Sequence, residues 1–390
     1  MELNLKLAFS RLLPLGRWGM VLVFMLLLIT AVNLIGLGVQ GFGQTTAESL
    51  MGWVKNPLVG LLVGILATAL VQSSGLTIAL LVGLVAGGFS IGLAIPVVMG
   101  ANIGTTVTNT LVSLGQAKTG EAFQRSFAAA TVHDFFNFFT VLILFPLELW
   151  LHPLQYWSGQ CVSLVTIGTA HAPILTAILH NLPNPFYITI APVTHGVQGL
   201  WDCLPEPWNH SGLLVTGLIL MVLSLPLLSR HLQHLILAPQ TQSLQERGIW
   251  RSGWSTLGMG ALITALVHSS SATTSLMVPL AGSGVLTLAQ IYPFTLGANI
   301  GTCMTGLLVA ASLPPALLPA GLQIGLVHLF YNCGGVLCFY VIPGLRSLPP
   351  LAASSLAALA SDHKALAAGY VGGLFFGLPL LLLTWLRLPS

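Results

Sequence analysis

The apolar runs of this chain fall into two length classes, and the division predicts its elements. Residues 18–40, 128–150, 213–236, 317–342 and 365–386 are apolar over the length a helix needs to cross a hydrocarbon core of ~30 Å. Shorter runs are stopped by polar groups and then resume. Residues 58–71 stop at Gln72-Ser73-Ser74 and resume over 76–86, and residues 254–267 stop at His268-Ser269-Ser270-Ser271 and resume over 272–281. Each flank covers roughly 18 Å as helix, so neither crosses alone. One reading is a long helix whose serines bond back to the preceding turn. The expectation here is a re-entrant hairpin with its tip at the midplane, because Gly75 and the paired serines suit a break. A second interrupted pattern surrounds Gly100-Ala101-Asn102-Ile103-Gly104 and Gly297-Ala298-Asn299-Ile300-Gly301. Gly100 and Gly104 have the spacing of closely packed helices. Asn102 between them and the threonines behind it need polar partners at that depth, which predicts a broken helix with an unwound turn.

These phrases occur twice. Thr68-Ala69-Leu70-Val71-Gln72-Ser73-Ser74-Gly75 returns as Thr264-Ala265-Leu266-Val267-His268-Ser269-Ser270-Ser271, 196 positions later. Gly100 to Thr105 returns at Gly297 to Thr302, offset 197, and His133-Asp134-Phe135-Phe136-Asn137 is echoed by His328-Leu329-Phe330-Tyr331-Asn332, offset 195. Three ordered phrases at nearly one offset imply a duplicated unit. His133 and Asn137, like His328 and Asn332, are four apart and share a helix face. Asp134 is the one acid well inside a predicted span, with Leu329 at its counterpart.

The cations orient the copies. Lys6, Arg11 and Arg17 precede the first span and place the N-terminus in the cytoplasm; Arg230, Arg247 and Arg251 follow the span 213–236. The first hairpin then enters from outside and the second from inside, so the halves are inverted copies with a site between interrupted helices. The expected fold class is an all-α integral membrane protein of two inverted repeats, each with a re-entrant helical hairpin and a broken helix. Residues 1–150 form the first repeat, 151–210 a linker holding a short or interfacial helix and an outside loop, 211–345 the second repeat, and 346–390 a C-terminal helix.

Composition sharpens the class. Of 390 residues 55% are apolar and only 5% charged, and the mean hydropathy is +0.90. A soluble domain carries roughly 25% charged residues, and a barrel needs alternating strands that the chain lacks. A net charge of +3 argues against nucleic acid as a partner. The N-terminal run has no clear cleavage site and reads as a retained helix. Five cysteines and the scattered His152, His171, His180 and His195 show no metal-ligand spacing. No cofactor is expected.

The polar phrases suggest the chemistry. The start of a helix offers unpaired N–H groups and partial positive charge to an anion. Ser73 and Ser74, and Ser269, Ser270 and Ser271, stand at two such starts with no Arg or Lys in these segments. Hydroxyls and N–H groups make a neutral cage for a tetrahedral oxyanion, while carbonyl, hydroxyl and amide oxygens suit a hard cation such as sodium. The anion set is Gln72, Ser73, Ser74, Gly75, His268, Ser269, Ser270 and Ser271. The cation set is Thr77, Asn102, Thr105, Thr274, Asn299 and Thr302, supported by His133, Asn137, His328 and Asn332. Two other classes compete: a carrier or channel for another oxyanion, and an intramembrane hydrolase using His268 beside Ser269 and Ser270. Adjacent residues seldom align for proton transfer, and Gln72 replaces the histidine in the first copy.

The doubled Gln-Ser-Ser and Gly-Ala-Asn-Ile-Gly-Thr phrases, in this order, resemble the type II sodium/phosphate cotransporter family over residues 18–150 and 211–345. The resemblance implies sodium-driven uptake of inorganic phosphate, no enzymatic activity, sodium as coupling ion, and residence in the plasma (inner) membrane. It places both hairpin tips around the substrate. Gly75 departs from a third serine and His268 from a glutamine; the histidine can gain charge near pH 6–7. Many bacterial relatives carry a PhoU-like domain, and the chain to Ser390 reads as a short form without one.

Overall fold

The computed structural model describes residues 2–41, 56–116, 120–171, 185–237, 250, 252–362 and 364–387. Residues 42–55, His180, Arg247 and Arg251 lie outside the described residues. Among the described residues every regular element is a helix. Seven helices are long and apolar enough to cross a membrane: 16–41, 91–115, 120–151, 208–235, 288–311, 318–341 and 365–386. Three apolar helices, 57–71, 74–86 and 253–267, are shorter.

The first half consists of α1 (Glu2–Gly41), α2 (Pro57–Val71), α3 (Ser74–Ala86), α4 (Ile91–Gly104), α5 (Val107–Gln116) and α6 (Gly120–Leu151). Helices α7 (Pro153–His171) and α8 (Pro185–Trp201) follow. The second half repeats the order as α9 (Trp208–Leu232), α10 (Gly253–Val267), α11 (Ser270–Ser275), α12 (Met277–Gly282), α13 (Leu288–Ala311) and α14 (Leu318–Val336). Three further helices, α15 (Leu348–Asp362), α16 (Lys364–Gly372) and α17 (Leu378–Arg387), close the described chain. Helix α15 was not expected from the sequence. It turns Ala353, Ala357 and Ala360 inward, and these small residues let it lie close on α6.

Glycines set the helix directions. A Cβ on Gly100 would collide with the Leu61 carbonyl, and one on Gly104 with that of Ile65. Helices α2 and α4 therefore lie backbone to backbone and run the same way. Gly297 and Gly301 meet the carbonyls of Leu257 and Ala261 identically, so α10 and α13 are also parallel. The first helices of the two halves run oppositely: Gly38 lies against His210 and Leu214, and Gly217 against Ala31 and Ile35.

This packing corrects the expected broken helices. Helix α4 continues through Gly100–Gly104 and is interrupted only at Thr105–Thr106, and α13 passes through Gly297–Thr302 without a break. The Gly-x-x-x-Gly spacing is used for close helix contact, and Asn102 satisfies its amide by donating to the Val98 carbonyl at 2.8 Å. No unwound turn is needed to give it a partner.

Candidate functional site

The two Ser-Ser phrases do interrupt their helices, and in the same way. Gln72 ends α2 at φ 54°, ψ 29°, and His268 ends α10 at φ 56°, ψ 27°. Both are left-handed, a conformation that closes helices and is uncommon for residues other than glycine. The next residue is extended, with Ser73 at φ −151° and Ser269 at φ −152°. Each serine caps the helix it precedes: Leu76 N–H donates to Ser73 Oγ and Ala272 N–H to Ser269 Oγ, both at 3.2 Å. Gly75 lies inside α3, so the break does not depend on it.

The tips meet, although they lie almost 200 residues apart. Ser271 Oγ lies 3.2 Å from Thr105 Oγ1 and 3.4 Å from the Gln72 carbonyl. A Cβ on Gly75 would stand 3.6 Å from Thr305 Cγ2 and 3.8 Å from the His268 carbonyl, ordinary contact distances. His268 turns Nδ1 to Thr305 Oγ1 at 3.1 Å, away from its neighbour Ser269. Ser74 and Ser270 are buried at the two helix starts. Ser74 Oγ has no hydrogen-bond partner among the described residues.

Beneath the tips runs a buried chain of hydrogen bonds that joins the halves. His328 Nε2 donates to Asn102 Oδ1 at 3.4 Å, and the Asn102 carbonyl accepts from Asn137 Nδ2 at 2.7 Å. Asn137 Oδ1 accepts from Asn299 Nδ2 at 2.8 Å, and Asn299 Oδ1 accepts from His133 Nε2 at 2.6 Å. Asn109 Nδ2 approaches His133 Nδ1 at 3.3 Å and Thr274 Oγ1 at 2.9 Å. Satisfying every partner makes His133 the neutral tautomer protonated on Nε2. Each histidine thus bonds the asparagine of the opposite copy.

The expected cation set does not converge on one point. Asn102, Asn299 and Thr274 belong to the buried chain, Thr105 joins the tips, and Thr77 pairs with Thr68 at 2.8 Å. Thr302 is buried in α13. The repeat counterpart of Thr77 is Thr273, which bonds the Ser269 carbonyl at 2.8 Å, as Thr77 bonds that of Ser73 at 3.3 Å. Asn332 donates to Cys303 Sγ at 3.4 Å and to the His328 carbonyl at 3.0 Å.

Residues 27–170 and 220–339, which hold both copies of every phrase, match the family described as Na+/Pi-cotransporter. The chain belongs to that family. It is 33% identical over 435 residues to Sodium-dependent phosphate transport protein 2A of Ovis aries, covering 95% of this chain and 66% of that protein. It is 31% identical over 446 residues to Sodium-dependent phosphate transport protein 2B of Homo sapiens, covering 94% of this chain and 64% of that one. The chain spans just under two thirds of the length of these relatives. No solved structure matches. Membership and the seven apolar helices make it an integral, multi-pass membrane protein.

Besides Thr305, which meets His268, four residues outside the expected set join the site of this family member. Asp134 is fully buried beside His133; Thr110 Oγ1 donates to its Oδ2 at 3.2 Å and Tyr370 OH at 3.0 Å. Its Oδ1 has no partner among the described residues. Asp134 carried a signal, being the one acid deep within a predicted span, whereas Glu121 and Glu148 lie near the ends of the same helix. Asn109 and Thr110 looked like ordinary polar residues behind a glycine phrase. Tyr370 comes from α16, some 236 positions away, and nothing in its surroundings marks it.

Proposed function

We propose that this chain is a sodium-coupled symporter that takes up inorganic phosphate by alternating access. The observation that carries the reading is the meeting of two serine-capped helix starts, one from each half, at Ser271 and Gln72. Phosphate bound there would accept from the N–H groups at the starts of α3 and α11 and from Ser74, whose hydroxyl is otherwise unused. The relatives' names supply the substrate and the ion. Sodium fits best at Asp134, whose Oδ1 has no hydrogen-bond partner among the described residues and whose Oδ2 is joined by the Thr110 and Tyr370 hydroxyls. Helix α5 connects the two: Asn109 holds Thr274 at the second tip, and the adjacent Thr110 holds Asp134. A cation at Asp134 would thereby bias the position of a tip helix, which is the physical content of coupling.

The finer architecture belongs to the same reading: two inverted repeats, each with a re-entrant hairpin. It is supported by the antiparallel first helices, the parallel pairs α2–α4 and α10–α13, and the exchanged histidine–asparagine bonds. A helix of 15 residues covers about 22 Å, too short to cross, and α3 between parallel α2 and α4 must return. Repeat boundaries at 1–150 and 211–345, an inner-membrane location and a cytoplasmic N-terminus complete the proposal. Equilibrium binding of labelled phosphate to purified protein tests it: binding should need sodium, and equal binding in choline would refute the coupling.

A further inference from the structure

A cleft of about 450 Å³ lies away from the tips, at the end of the molecule where α10 and α13 begin. Its walls are largely apolar, from Leu288, Ala289, Tyr292, Pro343 and Pro350, with Arg346 and Ser347 at one side. Arg346 ends a single helical turn, Pro343–Arg346, that lies between α14 and α15. Its guanidinium lies 4.3 Å from the Tyr340 ring centroid and donates from Nη2 to the Tyr340 hydroxyl at 3.4 Å. That is one acceptor for five N–H donors, and among the described residues no carboxylate is paired with it. Tyr340 itself is buried and fixed by Trp254, whose ring meets it edge-on at 4.9 Å, so the arginine stands on a rigid base.

The surroundings define the ligand. Trp254 is 59% exposed, and Ile342, Leu348 and Leu351 expose apolar side chains near the same turn. Tryptophan, arginine and exposed aliphatic groups together mark the level where hydrocarbon meets headgroups. A guanidinium with free donors suits a phosphate, and apolar walls suit a glycerol backbone and the first carbons of acyl chains. A second cleft, of about 300 Å³, shares Leu288 and continues along α15 past Ser354 toward Arg125. We propose that this cleft is a binding site for an anionic membrane phospholipid, with its phosphate on Arg346. The proposal is independent of the transport site, since none of these residues touches the tips or the buried chain.

The test uses the full chain purified in neutral detergent, as wild type, Arg346→Gln and Arg346→Lys. Native mass spectrometry reads binding of short-chain phosphatidylglycerol and phosphatidylcholine, with inorganic phosphate added as competitor. A lost charge-assisted contact should weaken phosphatidylglycerol about tenfold or more in Arg346→Gln. Arg346→Lys should keep most of the affinity, phosphatidylcholine should bind weakly throughout, and inorganic phosphate should not displace the lipid. Equal phosphatidylglycerol affinity in wild type and Arg346→Gln, at matched melting temperatures, would overturn the site. Displacement by millimolar inorganic phosphate would overturn the lipid assignment in favour of a free anion. If Arg346→Gln does not fold, Arg346→Lys decides: loss of binding there contradicts a site built on charge.

Discussion

Replacing Ser74 by alanine separates binding from folding, because its hydroxyl does nothing for the fold. Ser74 is 1% exposed and its Oγ has no partner among the described residues, while the neighbouring Ser73 accepts the Leu76 N–H and caps α3. Burying a hydroxyl without a hydrogen bond costs roughly 1–3 kcal/mol. Removing it should therefore leave the melting temperature unchanged or raise it. If the same hydroxyl donates to bound phosphate, its loss removes a bond to a charged acceptor worth about 1.5–3 kcal/mol. That predicts a rise of about tenfold or more in the phosphate KM at saturating sodium. Ser73→Ala should behave oppositely in stability, losing a cap of about 1 kcal/mol. The assay is thermal melting of the purified variants beside sodium-driven phosphate uptake in proteoliposomes. A lowered melting temperature with wild-type KM in Ser74→Ala would refute the argument and make this serine structural.

Three further outcomes follow from the packing and the buried chain. Gly297→Ala forces a methyl into the Leu257 carbonyl and should cost about 3 kcal/mol or more. Gly258→Ala, with nothing within 4 Å, should melt at or above the wild-type temperature; equal melting of the two variants would contradict the close helix pair. Asp134→Asn keeps the size but removes the charge, so half-saturation for sodium should rise severalfold while the chain still folds; an unchanged sodium dependence would exclude Asp134 as its site. Asn109→Gly combined with Thr274→Ile rebuilds the contact that Gly306 makes with Ile78 in the other copy. That double variant should fold yet lose sodium coupling, measured as phosphate uptake with and without the gradient, and retained coupling would deny α5 its connecting role.

What the sequence makes legible is repetition and depth. The doubled Gln-Ser-Ser phrase marks the breaks because two polar hydroxyl residues inside an apolar run have few reasons to be there. The left-handed residue was harder to find, since the conformation falls on Gln72 and His268 and not on Gly75. The glycine phrases were misread for a physical reason: a helix can carry a buried asparagine unbroken if the amide bonds back four residues, as Asn102 does to Val98. Glycine spacing and an unwound turn look alike until the partner helix is in view. Asp134 stood out as an isolated acid, yet its partners could not be guessed. Thr110 lies in the preceding helix, α5, and Tyr370 in a late one, and neither pairing has a sequence period. Helix α15 escaped notice because an alanine-rich face against α6 carries little hydropathy.

Coupling of phosphate to sodium is measured most directly as flux in proteoliposomes. Proteoliposomes containing the purified chain are supplied with labelled phosphate under an inward sodium gradient, an equal potassium gradient, or sodium at equal concentration on both sides. Concentrative uptake, above the outside level, should appear only with the sodium gradient and collapse when the gradient is dissipated. Accumulation of phosphate to the same level under the potassium gradient would mean that sodium does not drive transport.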